Sequence, residues 1–88
     1  MKISISHIKN VVIGWNIDVS VEAGDGETIS FVEARVNGFP EIQEMPDNGT
    51  NSFDQQITGK GVFPGDNKVE VVARNQNGDE SRGEQQWS

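Results

Sequence analysis

The chain has 88 residues, no cysteine and no tyrosine, and 14 acidic against seven basic side chains give a formal charge of −7. That length holds one domain, residues 1–88, with a thin core, and without thiols its layers must be held by packing and not by a disulfide. The negative field repels phosphate backbones and anionic lipid surfaces, which excludes nucleic acid and membrane as expected partners.

Read from the N-terminus, Lys2 to Ser6 is a short strand with Ile3 and Ile5 inward. The stretch Met1–Asn10 alternates isoleucine and serine without the continuous apolar core of a leader, so no signal peptide is read in it. No segment approaches the roughly 18 apolar residues of a membrane helix. The compartment stays open, with an extracellular or cell-surface place expected if the chain is a domain excised from a longer protein.

From Val11 to Ala23 every odd position is apolar: Val11, Ile13, Trp15, Ile17, Val19, Val21 and Ala23. A helix would spread these side chains around its circumference, whereas a strand puts them on one face. Such a run is long for one strand, so a break is expected near Gly14. Gly24–Glu27 is a turn. The next strand, Thr28 to Asn37, has Val32, Ala34 and Val36 on one face, and Asn37-Gly38 predicts a tight hairpin. Phe39 to Glu44 is a short return strand, confined by Pro40 to an edge.

Residues 45–51 read as loop. Phe53 to Thr58 alternates again, with Phe53 and Ile57 in phase, and 59–65 reads as a corner. Asn67 to Asn75 is a strand with Val69, Val71 and Ala73 inward. Asn77-Gly78 turns into a polar edge strand over Ser81–Ser88 that ends near Trp87. About seven short strands with turn signals between them, and no helical pattern, predict an all-β sandwich of antiparallel strands. Its expected core is Ile3, Ile5, Ile13, Trp15, Ile17, Val19, Val21, Val32, Ala34, Val36, Phe53, Ile57, Val69, Val71 and Ala73.

Two stretches resemble the bacterial immunoglobulin-like modules of multi-domain secreted or surface proteins. Ile29-Ser-Phe-Val32-Glu-Ala-Arg-Val36-Asn37-Gly38 is similar to their I-x-x-V-x-x-x-V-N-G strand and turn. Pro64-Gly65-Asp-Asn67-Lys-Val69-Glu-Val71-Val-Ala73-Arg-Asn75-Gln-Asn-Gly78 resembles their G-x-N/H-x-V-x-V-x-A-x-D/N-x-x-G corner, strand and loop. With the long strand before them, the likeness spans most of residues 11–82. It implies an immunoglobulin-like β-sandwich without a disulfide and an accessory role. The chain departs from the pattern at Gly83-Glu-Gln-Gln, a weak last strand. Because sandwiches carry unrelated functions, the likeness names no partner.

Catalysis is not expected. With no cysteine and a single His7, the usual nucleophile–base and zinc sets are missing. A sandwich this small also leaves little room for a cleft that would separate the pKa values of two carboxyls. Calcium is the one cofactor considered. The Gly24–Glu27 and Asn75–Glu80 turns fall at the same end of such a fold, where Asp25, Glu27, Asp79 and Glu80 would offer hard oxygen ligands. The plainer reading is that these turns bond their own backbone.

Carbohydrate binding would use exposed aromatics, with Phe31, Phe39, Phe63 and Trp87 as candidates; otherwise Phe39 and Phe63 cover the lower end of the sandwich and Trp87 closes an edge. Phe31, Arg35, Val72 and Arg74 all point outward, and would form a protein-binding patch if their strands are neighbours. The reading is a non-catalytic spacer or interaction module whose partner is a protein or a neighbouring domain. A carbohydrate- or calcium-binding module and a phage or virion surface decoration domain are the alternatives.

Overall fold

The computed structural model describes residues 1–11, 14–60 and 66–87. The expected positions Ile13, Phe63 and Gly65, and the side chain of His7, lie outside the described residues. The elements are β1 (Lys2–Val11), β2 (Gly14–Glu22), β3 (Ile29–Val36), β4 (Phe39–Glu44), β5 (Ser52–Lys60), β6 (Asn67–Asn75) and β7 (Glu80–Trp87), with no helix among the described residues. They form two antiparallel sheets, ordered β1-β2-β5 and β4-β3-β6-β7. The fold is an all-β sandwich, with β4 beside β3 and not beside β5.

Alternation explains why these residues choose strands. In β2, Trp15, Ile17, Val19 and Val21 are buried, and the residues between them are part-exposed. In β6 the buried set is Asn67, Val69, Val71, Ala73 and Asn75. One core cluster takes these apolar side chains together with Ile29, Val32, Ala34, Val36, Ile42 and Ile57, so both sheets contribute to it. Met1, Ile3, Ile5, Ala23, Phe53 and Trp87 pack around its margin. Ile29 and Ile42 were absent from the expected core. Ile29 precedes a register shift and so lies out of phase with Val32, and Ile42 stands alone in a polar strand. Neither shows a local periodic signal.

The Asn37-Gly38 hairpin forms as expected, with φ of 51° and 85° at the two central residues. That pair of positive angles matches the strand twist and suits asparagine followed by glycine. Three boundaries move. β1 runs on past Ser6 to Val11, with a register shift between Ser6 and Lys9 that absorbs the irregular stretch. β5 continues through Gly59 and Lys60, which the sequence placed in the corner. β7 pairs with β6 from Glu80↔Arg74 to Asn67↔Trp87, a full last strand and not a weak one.

Two glycines explain the last two changes. A Cβ on Gly59 would sit 2.1 Å from the Trp15 ring, so the indole lies flat on this part of β5 only because no side chain is there. Trp87 meets Trp15 edge-on, with centroids 6.5 Å apart and planes at 68°, and closes that end of the core. On β7, a Cβ on Gly83 would meet Ile3 at 3.0 Å, so the glycine that looked like a defect lets β7 lie against β1.

Ile17→Asp or Val71→Asp buries an unpaired charge in a fully buried position and abolishes the cooperative thermal transition of the wild type. Gly59→Ala, which must displace the Trp15 ring, lowers stability by about 2 kcal/mol. In a chain this size that is a fall of about 10 °C in Tm by circular dichroism.

Candidate functional site

Two places gather polar side chains, and both are set by strand ends and strand phase. The first is the end of the sandwich where β6 stops. Asn75 occupies the last inward position of β6 and is 6% exposed. Its Oδ1 accepts the backbone N–H of Asn77 (2.9 Å) and of Asp79 (3.0 Å), which shapes the turn into β7. Its Nδ2 donates to Glu27 Oε2 (2.9 Å) and Asp79 Oδ2 (3.4 Å). Glu27 Oε1 in turn accepts the Gly24 N–H at 3.0 Å and lies 3.1 Å from the amino group of Met1.

Gln76 adds a second tie across the same end. It donates from Nε2 to Gly26 O (2.8 Å), while its Oε1 accepts the Thr28 N–H (2.8 Å). The Gly24 N–H, then the Asn75 amide, then the terminal amino group hold the Glu27 carboxyl down to about 2.

The four carboxylates considered for calcium are placed as follows. Glu27 and Asp79 do meet, but through the Asn75 amide between them, and both Glu27 oxygens already accept N–H donors. Asp25 is exposed in the adjoining turn. Glu80 belongs elsewhere: it pairs in register with Arg74, so it has the outward phase and its carboxylate bonds to Arg82 and Arg74. Among the described residues no group of three or more His, Cys, Asp or Glu side chains converges.

The second place is the outer face of the β4-β3-β6-β7 sheet. Because β3 and β6 are neighbours, Phe31, Arg35, Val72 and Arg74 lie on one face, with Phe31 opposite Arg74 and Glu33 opposite Val72. The Arg74 guanidinium sits 5.1 Å over the Phe31 ring centroid, a cation–π contact. Arg74 also reaches Glu80 (3.4 Å), which accepts Arg82 Nη2 at 2.9 Å. On the other side Arg35 donates to Glu33 at 3.1 Å, and Gln43 of β4 donates to the second Glu33 oxygen at 3.0 Å.

These donors hold both carboxyls below their ordinary range, Glu33 mainly through Gln43 and Glu80 mainly through Arg82. All three arginines of the chain lie here. On β3, β6 and β7 they and Lys68 stand against Glu33, Glu70, Glu80 and Glu84, four charges of each sign. A shallow open hollow runs across the patch between Phe31, Val72 and Arg82.

The aromatic candidates are dispersed. Phe31 is covered by Arg74, Trp87 packs on Trp15, and Phe39 stands 64% exposed at the β3–β4 hairpin. What the sequence reading missed are Asn67 and Asn75 as core members. Both fall in the inward phase of the Val69, Val71, Ala73 run, so strict application of the period would have found them.

Asn75→Ala removes the amide that satisfies both turns and lowers stability by about 2 kcal/mol in chemical denaturation. Since folding depresses the Glu27 carboxyl, its stabilising effect is complete above about 4.5 and is lost as pH falls toward about 2. Glu27→Gln therefore melts below the wild type at pH 7, and the gap between the two melts closes as the pH is lowered to about 2. No protein-family model matches the chain, and no curated protein or solved structure matches it.

Proposed function

We propose that this chain is a non-catalytic immunoglobulin-like module that presents the outer face of its four-stranded sheet to a protein partner. The observation that carries the reading is the convergence of Phe31, Arg35, Val72 and Arg74 on one open, charge-balanced face of an otherwise acidic body. Phe31 and Val72 supply an apolar centre, and the arginines around them are of the type enriched in binding hot spots. Exposed ion pairs contribute little to folding, so the Glu33–Arg35 and Arg74–Glu80–Arg82 pairs are better employed in selecting a partner of matching charge pattern. A body of 42 × 18 × 17 Å also suits a role in holding neighbouring domains apart.

A photo-cross-linking side chain in place of Val72, in cells that make the protein, is expected to capture one defined protein. The same substitution at Ser20 on the opposite sheet captures none. Phe31→Ala with Arg74→Ala removes the capture, lowering affinity about tenfold or more while changing stability by only about 1 kcal/mol. Equal capture from both faces, or capture indifferent to the double substitution, overturns the reading.

A further inference from the structure

Three asparagines of the chain precede a glycine, in Asn37-Gly38, Asn48-Gly49 and Asn77-Gly78. In such a pair the glycine nitrogen can attack the asparagine side-chain carbonyl, because no Cβ on the glycine blocks the approach. The three glycines have φ of 85°, 87° and 82° and open space where a Cβ would stand, so steric access does not separate them.

Hydrogen bonding does. Asn37 is held by its side chain: Nδ2 donates to Asn67 Oδ1 at 3.0 Å, and Oδ1 accepts the Lys68 N–H at 2.9 Å. The carbonyl carbon to be attacked turns toward the backbone only if both bonds are given up. Asn77 is restrained through the attacking group. The Gly78 N–H donates to Asn75 O at 3.0 Å, and the Asn77 N–H donates to Asn75 Oδ1 at 2.9 Å.

Asn48 has neither restraint. Among the described residues nothing bonds to its side chain or to the Gly49 N–H, and both residues are exposed. The turn around them is nevertheless closed, since Thr50 donates to Asp47 O from its N–H at 3.1 Å and from Oγ1 at 2.7 Å. Beyond it the chain is tied down. Thr50 O accepts the Ile29 N–H at 2.8 Å, and Asn51 O accepts the Ala23 N–H at 3.0 Å. The reacting groups therefore sit on a short exposed turn between β4 and β5 whose far end is anchored to the body.

We infer that Asn48 is a self-modification site, where the folded chain converts asparagine to aspartate and isoaspartate without an enzyme. The Gly49 nitrogen gives its proton to solvent base and bonds to Cγ of Asn48, and Nδ2 leaves as ammonia with a proton from water. The cyclic imide takes up one water and opens at either carbonyl, to aspartate or to isoaspartate. Amide and water become carboxylate and ammonium, with no oxidation or reduction. The product carries one more negative charge, and isoaspartate adds one methylene carbon to the backbone of the turn. Because Thr50 and Asn51 stay bonded to Ile29 and Ala23, the change is confined to the turn and both sheets stay folded. The chain thus exists in two charge forms that differ at this turn, whichever partner its arginine-bearing face takes.

The test is to incubate the native chain in mildly alkaline buffer and map digests over time by mass spectrometry that separates aspartyl from isoaspartyl peptides. Conversion at Asn48 is expected to run at least about fivefold faster than at Asn37 or Asn77, since each of those must first give up at least one ordinary hydrogen bond. In denaturant the three rates draw together. The converted form, separated by anion exchange, melts within about 4 °C of the unmodified chain. Asn48→Gln abolishes the early acidic form. The inference is overturned if Asn37 or Asn77 converts as fast as Asn48 in the folded chain, or if the spread of rates is the same in denaturant. An acidic form that persists in Asn48→Gln, or a converted form without a cooperative melt, also overturns it.

Discussion

The strand on which most of this structure depends is β6, and what defines it is an inward row that begins and ends in asparagine. Between Asn67, 1% exposed, and Asn75, 6% exposed, Val69, Val71 and Ala73 fill the space between the sheets. A valine at either terminal position would extend the apolar row, but it would leave the neighbouring turns without their donors and acceptors. Asn67 accepts from Asn37, whose own Oδ1 accepts the Lys68 N–H, so the β3–β4 hairpin is bonded to one end of β6. Asn75 does the same at the other end for the Gly24–Glu27 turn and the turn into β7. Among the described residues no buried side-chain nitrogen or oxygen lacks a partner. Such fully satisfied polar ends select one register for the central strand, where an apolar row alone would tolerate slippage.

With β6 held in register, its outward residues are held as well. Glu70, Val72 and Arg74 stand between Arg35, Glu33 and Phe31 on one side and Glu84, Arg82 and Glu80 on the other. The charged lattice of this face is therefore a consequence of core register. Exposed pairs of this kind add little to stability, and their orderly arrangement is available for recognition. The opposite sheet differs in kind. Its outer face bears Lys2, Ser4, Asp18, Ser20, Glu22, Asp54, Gln56 and Thr58, and its edge strand β5 pairs with β2 without interruption.

Close approach without a side chain decides how the two sheets meet at their ends. Trp15 rests on Gly59, Trp87 rests on Trp15, and Ile3 fits against Gly83. In sequence these glycines look like breaks, because a glycine weakens an isolated strand. In the folded chain each makes room for a large side chain from another strand, and the local loss of propensity is offset by packing.

Strand identity was legible wherever one face is dry and the other wet. β2 and β6 could be read directly from their alternation, and Asn37-Gly38 announced its turn, because period and positive φ are properties of neighbouring residues. The outward grouping of Phe31, Arg35, Val72 and Arg74 was legible only conditionally, since phase says which way a side chain points but not which strand lies beside it. Pairing of β3 with β6 was decided by the tertiary structure. So were the burial of Ile29 and Ile42, the full length of β7 through Gly83, and the passage of Glu80 from the turn cluster to the arginines. Each of these depends on contacts between residues far apart in the chain, and no local pattern encodes them.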